Sequence, residues 1–283
     1  MNSVERIEIV CASDAAYWPA LAAMLWSLRC NGGDRTAYRV WVLDGGLPRD
    51  GLERLRAAVA PLELIVLRPN REALRGLLVG DHYSEVAYFR LLIPDLLPAD
   101  VSRVLYLDAD TIITAPLTEL WATPFDGNPI LAAQCSVIRE MSHPKALSNY
   151  RELGYPPDHP YFNSGVLMMD LDRFRRERLG VAVLDYVRHN AGAVRWVDQD
   201  GLNATLGRRW GRLARRWNYL IDPWAEVSDE SREAVSQVLS GSPDRPAVLH
   251  FLSGLKPWHA NYPHPAGEVF NIYWNATAAI REG

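Results

Sequence analysis

Cysteine is scarce in this sequence. Only three cysteines occur among its 283 residues, Cys11, Cys30 and Cys135. They are far apart, odd in number and contain no Cys-x-x-Cys pair, which argues against a disulfide framework and against a zinc site. Such sparse cysteine usage suits a protein of the reducing cytoplasm.

Long apolar runs are also missing. The N-terminus, MNSVERIEIV, carries charges where a secretory signal needs an apolar run. The most apolar stretch, residues 15–28, is shorter than the roughly 20 residues that a membrane-spanning helix needs. We therefore expect this stretch to form a buried helix in a soluble, cytoplasmic protein. Any membrane contact would be peripheral, at the inner face.

The sequence has no large excess of charge of one sign. Its formal net charge is −4, which gives no global reason to expect a nucleic acid as partner. Arginines are nevertheless dense in two stretches. The default interpretation is a set of solvated helix and loop faces, and a basic surface would also suit anionic lipid or a phosphorylated acceptor. These arginines stand at positions 173, 175, 176, 178, 208, 209, 212, 215 and 216.

Short apolar runs alternate with helical patterns over the first hundred residues. Strands separated by helices pair in parallel through right-handed crossovers, which predicts a Rossmann-like α/β sheet. With no repeat or linker in the chain, we expect one domain over residues 1–283. The predicted strands are residues 7–10, 38–43, 62–67, 104–107, 129–134, 165–171 and 247–251. The predicted helices are residues 19–30, 48–59, 85–97 (with Pro94 kinking or ending it), 172–189 and 198–206.

Two aspartates, Asp108 and Asp110, follow the fourth predicted strand. In open α/β sheets, ligands bind at the carboxyl ends of the strands. Alternate residues of an extended segment share a face, so both carboxylates can point to one place. They would repel each other unless a cation lay between them, and their oxygens suit Mg²⁺ or Mn²⁺. The alternative is a pair of solvated turn aspartates, because the pattern is short.

The same segment, LDADTI, also fits the nucleophile motif of haloacid-dehalogenase-type phosphohydrolases, in which the first aspartate, here Asp108, is phosphorylated. Those enzymes usually carry the motif on an early strand and need a downstream lysine followed by an acidic pair. Here the motif falls on the fourth strand, and no such acidic segment appears later. We keep this reaction as the alternative function.

A second polar segment follows the last predicted strand. It contains His250, a flexible loop, and Lys256 held by Pro257 and Trp258. A histidine alone in such a strand is more often a hydrogen-bonded core residue. In a chain that also carries two strand-end aspartates, we favour a mixed nitrogen and oxygen metal site with Lys256 binding a phosphate oxygen.

Six segments in the same order resemble the retaining family-8 glycosyltransferases, which include bacterial lipopolysaccharide galactosyl- and glucosyltransferases and glycogenin. The resemblance covers nearly the whole chain. It implies a GT-A fold, with a Rossmann-like, mostly parallel central sheet, helices on both faces and a small antiparallel extension. The segments are SDAAY (13–17), YFRL (88–91), LYLDAD (105–110), FNSGV (162–166), DQDGLN (198–203) and HFLSGLKPW (250–258).

This resemblance also implies an activity. The protein would transfer a hexose, galactose or glucose, from a UDP-sugar to a carbohydrate or glycolipid acceptor such as a lipooligosaccharide. Mn²⁺, or Mg²⁺, would be the metal. Residues 1–110 would form the nucleotide-binding half, and residues 111–283 the half that binds sugar and acceptor.

Individual roles follow from the same resemblance. Asp14 and Tyr17 would hold the uridine, and Arg90 would lie near the diphosphate or the sugar. Asp108, Asp110 and His250 would ligate the metal. Contacts to the donor would also come from Ala109, Asn163, Gly254 and Lys256. The catalytic candidates are Gln199 and Asp198, which with Asn163 would surround the transferred sugar.

Simpler structural roles compete at three of these positions. Tyr17 would pack at a helix entry, Arg90 would form a salt bridge on a helix, and Asp198 would only cap one. The chain also departs from the family pattern after His250, where the expected glycine is Ser253 and a glycine follows at Gly254.

Overall fold

The computed structural model describes residues 6–33, 36–77 and 84–282. Its first half alternates strands and helices as the sequence predicts. The strands β1 to β4 lie side by side in the order β3-β2-β1-β4, and all are parallel. Their bounds, with those of the helices between them, are β1 (Arg6–Ser13), α1 (Trp18–Asn31), β2 (Ala37–Asp44), α2 (Arg49–Ala58), β3 (Glu63–Leu67), α3 (Ile93–Leu96) and β4 (Arg103–Leu107).

The second half extends this sheet in a different way. One strand, β7, is antiparallel to β4 on one side and to β6 on the other, and β8 completes an order of β3-β2-β1-β4-β7-β6-β8. A helix, α7, packs on β7. The elements are β5 (Thr111–Ile113), α4 (Thr118–Trp121), β6 (Ile130–Gln134), β7 (Phe162–Asp170), α5 (Leu171–Glu177), α6 (Leu179–His189), α7 (Val197–Leu206) and β8 (Trp210–Leu213).

A small second sheet completes the fold. It has the order β5-β10-β9, with β10 antiparallel to β5 and parallel to β9. The remaining elements are β9 (Tyr219–Ile221), α8 (Asp229–Ser240), β10 (Val248–Phe251), α9 (Ala266–Ala276) and α10 (Ala278–Glu282). The predicted fold class, with its large and mostly parallel central sheet, is confirmed. The small extension was expected to be antiparallel and is a mixed sheet, with one antiparallel and one parallel pair of strands.

The core lies on both faces of the large sheet. Successive side chains of a strand point to opposite faces, and β1 shows this directly. Ile7, Ile9 and Cys11 enter one buried cluster with α1, whereas Val10 and Ala12 enter the other with α6 and α7. Helices therefore cover both faces, and the ligand-accessible parts of the sheet are the ends of its strands.

Two local predictions need correction, and three short strands were missed. The helix expected over residues 172–189 is two helices, because Arg178 adopts a left-handed conformation with φ of 53° between α5 and α6. The segment expected to be helical over residues 85–97 is a 3-10 helix, Glu85–Leu92, followed by α3 with Pro94 in its first turn. The short strands β5, β8 and β9 were not predicted.

Many of the dense arginines are engaged locally. Arg173 and Arg209 both pair with Glu177, and Arg175 donates to backbone carbonyls of the 94–101 segment. They therefore fasten loops to helices, and a contact with anionic lipid stays a prediction. Within the described ranges, no helix combines the length and the apolarity needed to cross a membrane.

Candidate active site

Strand register brings Asp110 and His250 together. Asp108 and Asp110 follow β4, and Asp110 is followed directly by β5. In the β5–β10 pair, Thr111 lies opposite His250, and the amide of Phe251 donates to the carbonyl of Asp110 at 3.1 Å. An antiparallel neighbour therefore delivers an imidazole from far along the chain to the end of β4.

The three side chains form one compact cluster. One ligand atom from each of Asp108, Asp110 and His250 lies within 4.8 Å of the others. His250 Nε2 is 3.8 Å from Asp108 Oδ2 and 3.4 Å from Asp110 Oδ1. Two carboxylates and an imidazole are a donor set that suits Mn²⁺ and other divalent cations.

Gly165 gives this cluster its room. The antiparallel β4–β7 ladder places Gly165 next to Asp108, whose amide donates to the Gly165 carbonyl at 2.8 Å. A Cβ on Gly165 would lie 2.1 Å from His250 Cε1 and 2.8 Å from Asp108 Oδ2. Only glycine lets these two side chains approach each other here, and the residues present therefore fit a bound cation.

Lys256 supplies a buried positive charge beside the cluster. Its Nζ lies 2.6 Å from Asp110 Oδ2 and 2.6 Å from the carbonyl oxygen of Phe251. Burial alone would raise the pKa of Asp110, but Lys256 and His250 outweigh it and hold the pKa below its usual range. Asp110 is therefore ionised, as a metal ligand must be.

In the loop between His250 and Lys256, the residue with the left-handed conformation typical of glycine is not a glycine. Ser253, not Gly254, has the positive φ, 67°, while Gly254 is exposed. The hydroxyl of Ser253 accepts from the amide of Leu255 at 3.2 Å, which is a local compensation for that conformation. Ala109 is buried between the two aspartates.

Arg90 links the cluster to α7. Its side chain is 5% exposed, and its guanidinium lies 2.8 Å from Asp108 Oδ1 and 3.1 Å from Asp198 Oδ2. It also donates to the carbonyl of Ser164 at 2.5 Å. Burial lowers the pKa of Arg90, but Asp108 and Asp198 raise it by more. The pKa therefore lies above its usual value, and the group is a permanent cation. Arg90 is thus both salt-bridged and part of the site.

Asp198 is not the cap of its helix. The residue before α7 is Trp196, and the carboxylate of Asp198 instead accepts from Ser164 Oγ at 3.0 Å besides pairing with Arg90. Burial raises the pKa of Asp198 to about 6, with Asp108 adding to the rise and Arg90 opposing it. Asp200, rather than Asp198, accepts hydrogen bonds from the backbone amides of Arg195 and Trp196 at the start of the helix.

Asn163 and Gln199 meet where α7 packs on β7. The amide of Asn163 donates to Gln199 Oε1 at 2.9 Å, and the backbone amide of Ser164 donates to the same oxygen at 3.1 Å. Asn203, one turn along α7, pairs with the backbone of Phe162. This pairing fixes the helix against the start of β7.

Asp14 and Tyr17 lie at the carboxyl end of β1, beside β4. Asp14 Oδ1 accepts from the amides of Ala16 and Tyr17 at 3.0 and 3.1 Å, which turns the chain into α1. The ring of Tyr17 meets Trp258 edge-on at 5.7 Å. Lys256 Nζ lies 5.8 Å from the centre of the same ring, so Tyr17 packs at the helix entry and also faces the site.

Sequence reasoning missed several residues that shape the site. Asn218 bonds both His250 and Asn163, and Tyr106 donates to Asp108 at 2.9 Å. Tyr106 and Ser164 lie inside recognised motifs without an assigned role, so closer attention to those motifs would have found them. Asn218 lies in none, and nothing in its neighbours signals it.

Comparison with known proteins identifies the family. The sequence profile described as glycosyl transferase family 8 matches residues 8–262. The chain therefore belongs to glycosyl transferase family 8, and the protein is a glycosyltransferase.

Individual relatives agree over most of their length. The chain is 26% identical to general stress protein A of Bacillus subtilis, over 98% of this chain and 96% of that protein. It is 24% identical to lipopolysaccharide 1,2-glucosyltransferase of Escherichia coli, over 96% of this chain and 78% of that protein. Among solved structures, the galactosyltransferase LgtC with donor and acceptor sugar analogues matches with a TM-score of 0.79 and 24% identity, covering 95% and 96% of the two chains.

These findings do not favour the phosphohydrolase alternative, in which Asp108 would be the nucleophile. The geometry argues in the same direction. Both oxygens of Asp108 face fixed partners, since Oδ1 accepts from Arg90 and Tyr106 while Oδ2 faces His250. A carboxylate whose oxygens already face these side chains is poorly placed to act as a free nucleophile.

Proposed function

We propose that this glycosyltransferase is a retaining hexosyltransferase. It moves galactose or glucose from a UDP-sugar to a saccharide or lipooligosaccharide acceptor, with Mn²⁺, or Mg²⁺, bound by Asp108, Asp110 and His250. The observation that carries the proposal is the meeting of these three side chains at one point with Lys256 beside them.

The protein's own charges would act on the leaving group. A divalent cation bound at the cluster would supply positive charge to the donor diphosphate. Lys256 is fixed through Asp110 and the Phe251 carbonyl, so its ammonium is oriented before a phosphate arrives. Arg90 is a second buried cation within the same network. Such preorganised charges stabilise an anion that develops in the transition state, and losing one costs about 10²–10³ in rate.

Asp14 and Tyr17 would bind the uridine. They lie at the end of β1, which pairs with β4, so the nucleoside and the carboxylate cluster would occupy neighbouring strand ends. Lys256 Nζ lies near both the Tyr17 ring and Asp110, so the diphosphate would bind between the base and the cation. Asp14, Tyr17, Asp108 and Asp110 all belong to residues 1–110, which supports a nucleotide-binding half over 1–110 and a sugar and acceptor half over 111–283, with His250 and Lys256 of the second half completing the diphosphate side.

Front-face attack is the mechanism that these contacts support. A double displacement needs a free nucleophile below the sugar. Gln199 offers only an amide, and its oxygen already accepts two hydrogen bonds. Asp198 is a carboxylate, but Arg90 and Ser164 engage it. The departing phosphate would then accept the acceptor's proton, while Asn163, Asp198 and Gln199 position the sugar.

The acceptor class rests on the relatives. One is a lipopolysaccharide 1,2-glucosyltransferase, and LgtC is a galactosyltransferase solved with donor and acceptor sugar analogues. An exposed indole is available for such a sugar, because Trp224 is 71% exposed just after β9. A peripheral contact with an anionic membrane would suit a lipid-linked acceptor.

Titration calorimetry with UDP-glucose, UDP-galactose and their N-acetyl counterparts, each with and without Mn²⁺, tests donor and metal together. We expect one of the two hexose donors to bind only when Mn²⁺ is present. The Asp110→Asn variant keeps the size of the side chain and removes its charge. Addition of Mn²⁺ should no longer promote donor binding to this variant. Failure to bind any UDP-sugar with Mn²⁺, or equal binding without it, would contradict the proposal.

A further inference from the structure

The side chain of Asn218 lies between His250 of the cation cluster and Asn163, which contacts Gln199. Asn218 is 1% exposed and lies between the short 3-10 turn Arg215–Trp217 and β9. Its side-chain nitrogen donates to Asn163 Oδ1 at 2.8 Å, and its side-chain oxygen lies 3.0 Å from His250 Nδ1. Through Asn163, this buried amide connects the cation cluster with Gln199.

Two backbone amides fix the direction of every bond in this chain of side chains. A backbone N–H can only donate. Gly165 N–H donates to Asn163 at 3.0 Å and Ser164 N–H donates to Gln199 at 3.1 Å, so each of these side chains must present its oxygen there. The backbone donors thus determine which way the side-chain amides of Asn163 and Gln199 are turned.

The direction then propagates to the imidazole. Because Asn163 presents an oxygen, Asn218 must turn its NH₂ group towards it and its own oxygen towards His250. An amide oxygen can only accept, so Nδ1 of His250 must carry a hydrogen. In a neutral imidazole the other nitrogen, Nε2, then has its lone pair, and Nε2 is the atom that faces Asp108 and Asp110.

We propose that Asn218 is a positioning residue that holds His250 in the Nδ1–H tautomer and ties the imidazole to Asn163 and Gln199. The inference rests on the proposed function, because it takes the cluster to be a cation site. Histidines that ligate metals commonly donate their other N–H to an oxygen acceptor, and losing that acceptor typically costs about 10–100-fold in metal affinity or activity.

Asn218 needs both ends of its amide for this role. Asn218→Ala removes the acceptor for His250 and the donor for Asn163. Asn218→Asp keeps an acceptor for the Nδ1–H but places an oxygen against Asn163 Oδ1, where no hydrogen is available. The two variants therefore separate the cation side of the network from the sugar side.

The first experiment leaves Asn218 unchanged. Nitrogen NMR of the metal-free protein with ¹⁵N-labelled histidine, assigned by comparison with His250→Gln, reports which ring nitrogen carries the proton. We expect a proton on Nδ1 of His250. A proton on Nε2 alone would overturn the inference whatever the protein does with metals or donors.

The second experiment measures Mn²⁺ affinity calorimetrically with UDP present, and donor turnover in parallel. Asn218→Ala should weaken Mn²⁺ binding about 10–100-fold, whereas Asn218→Asp should keep Mn²⁺ affinity near that of the wild type and still lower kcat. Asn31→Ala is the matched control. The side chain of Asn31 is hydrogen-bonded within the fold as well, to three partners, but it lies at the far end of α1, about 20 Å along the helix from Tyr17.

The outcomes distinguish this inference from the proposed function. If the wild type binds no Mn²⁺, the cation site fails, and the NMR result alone judges the Asn218 network. If the wild type binds Mn²⁺ and folded Asn218→Ala binds it equally well, the positioning role is wrong. If Asn218→Ala does not fold, Mn²⁺ affinity and donor turnover of Asn218→Asp decide the question. If Asn218→Asp lost Mn²⁺ affinity and turnover to the same extent, the positioning role of Asn218 would be wrong.

Discussion

Replacing Gly165 with alanine is a one-carbon test of the cation site. The new Cβ would lie 2.1 Å from His250 Cε1, whereas ordinary contact begins at 3.4 Å, so the imidazole would have to retreat by about 1.3 Å. Asp108 Oδ2, at 2.8 Å from the same Cβ, would have to move as well. Both displacements open the cluster that holds the metal.

The expected magnitude follows from this geometry. A misplacement of about 1 Å in a catalytic arrangement can cost about 10²-fold, so Gly165→Ala should lower both Mn²⁺ affinity and kcat/KM by at least about that factor. Overpacking of one methyl group costs about 1–3 kcal/mol of stability, which most folded domains survive. The variant should therefore be folded and nearly inactive.

The assay is Mn²⁺ calorimetry with UDP present, together with donor turnover and thermal unfolding of each protein. Gly192→Ala is the matched control, because a Cβ there meets nothing within 4 Å. It should bind Mn²⁺ and turn over like the wild type. If folded Gly165→Ala kept wild-type Mn²⁺ affinity and kcat/KM, the argument for a cation between His250 and Asp108 would be refuted.

Three further substitutions test separate parts of the site. Lys256→Met removes the ammonium that competes for Asp110, so Mn²⁺ affinity should hold or tighten while kcat/KM falls about 10²–10³-fold; unchanged kcat/KM would remove Lys256 from the mechanism. Gln199→Ala should slow transfer without abolishing donor binding by calorimetry, and an unchanged kcat would exclude a catalytic role. Burial raises the pKa of Asp198 to about 6, so the folded protein holds that proton more tightly than the unfolded chain does. The contribution of Asp198 to the free energy of unfolding should then fall as pH rises from about 4 to about 6. Urea titrations of metal-free Asp198→Asn should lack this decrease, and an identical pH profile in the variant would contradict the assignment.

The main sheet was predictable because its signals are local. Buried parallel strands read as continuous apolar runs, as over Val104–Leu107 in β4, and the helices between them carry their own periodicity. The strands β5 and β9 of the small sheet were not predictable in this way. Each has three residues, too few to show the alternation of apolar and polar side chains that indicates a strand. The existence of the small sheet depends on pairing with β10.

In the site, too, the features with local sequence signals were predictable and those that depend on strand pairing were not. The position of Asp108 and Asp110 at a strand end follows from the sequence, because carboxyl ends of parallel strands gather at one edge. The contact between Gly165 and His250 depends on the register of two different ladders, which no local pattern encodes. Asp198 matched a helix-capping pattern in the sequence, but a buried pairing with Arg90 decides its contacts in the fold.

Pulsed electron paramagnetic resonance of the Mn²⁺- and UDP-loaded protein examines the central claim most directly, because it detects nitrogen bound to the metal. If Asp108, Asp110 and His250 hold one ion, the spectrum should show coupling to a single directly bound imidazole nitrogen, and His250→Gln should abolish that coupling. A Mn²⁺ signal without nitrogen coupling, or one that His250→Gln leaves unchanged, would contradict the account.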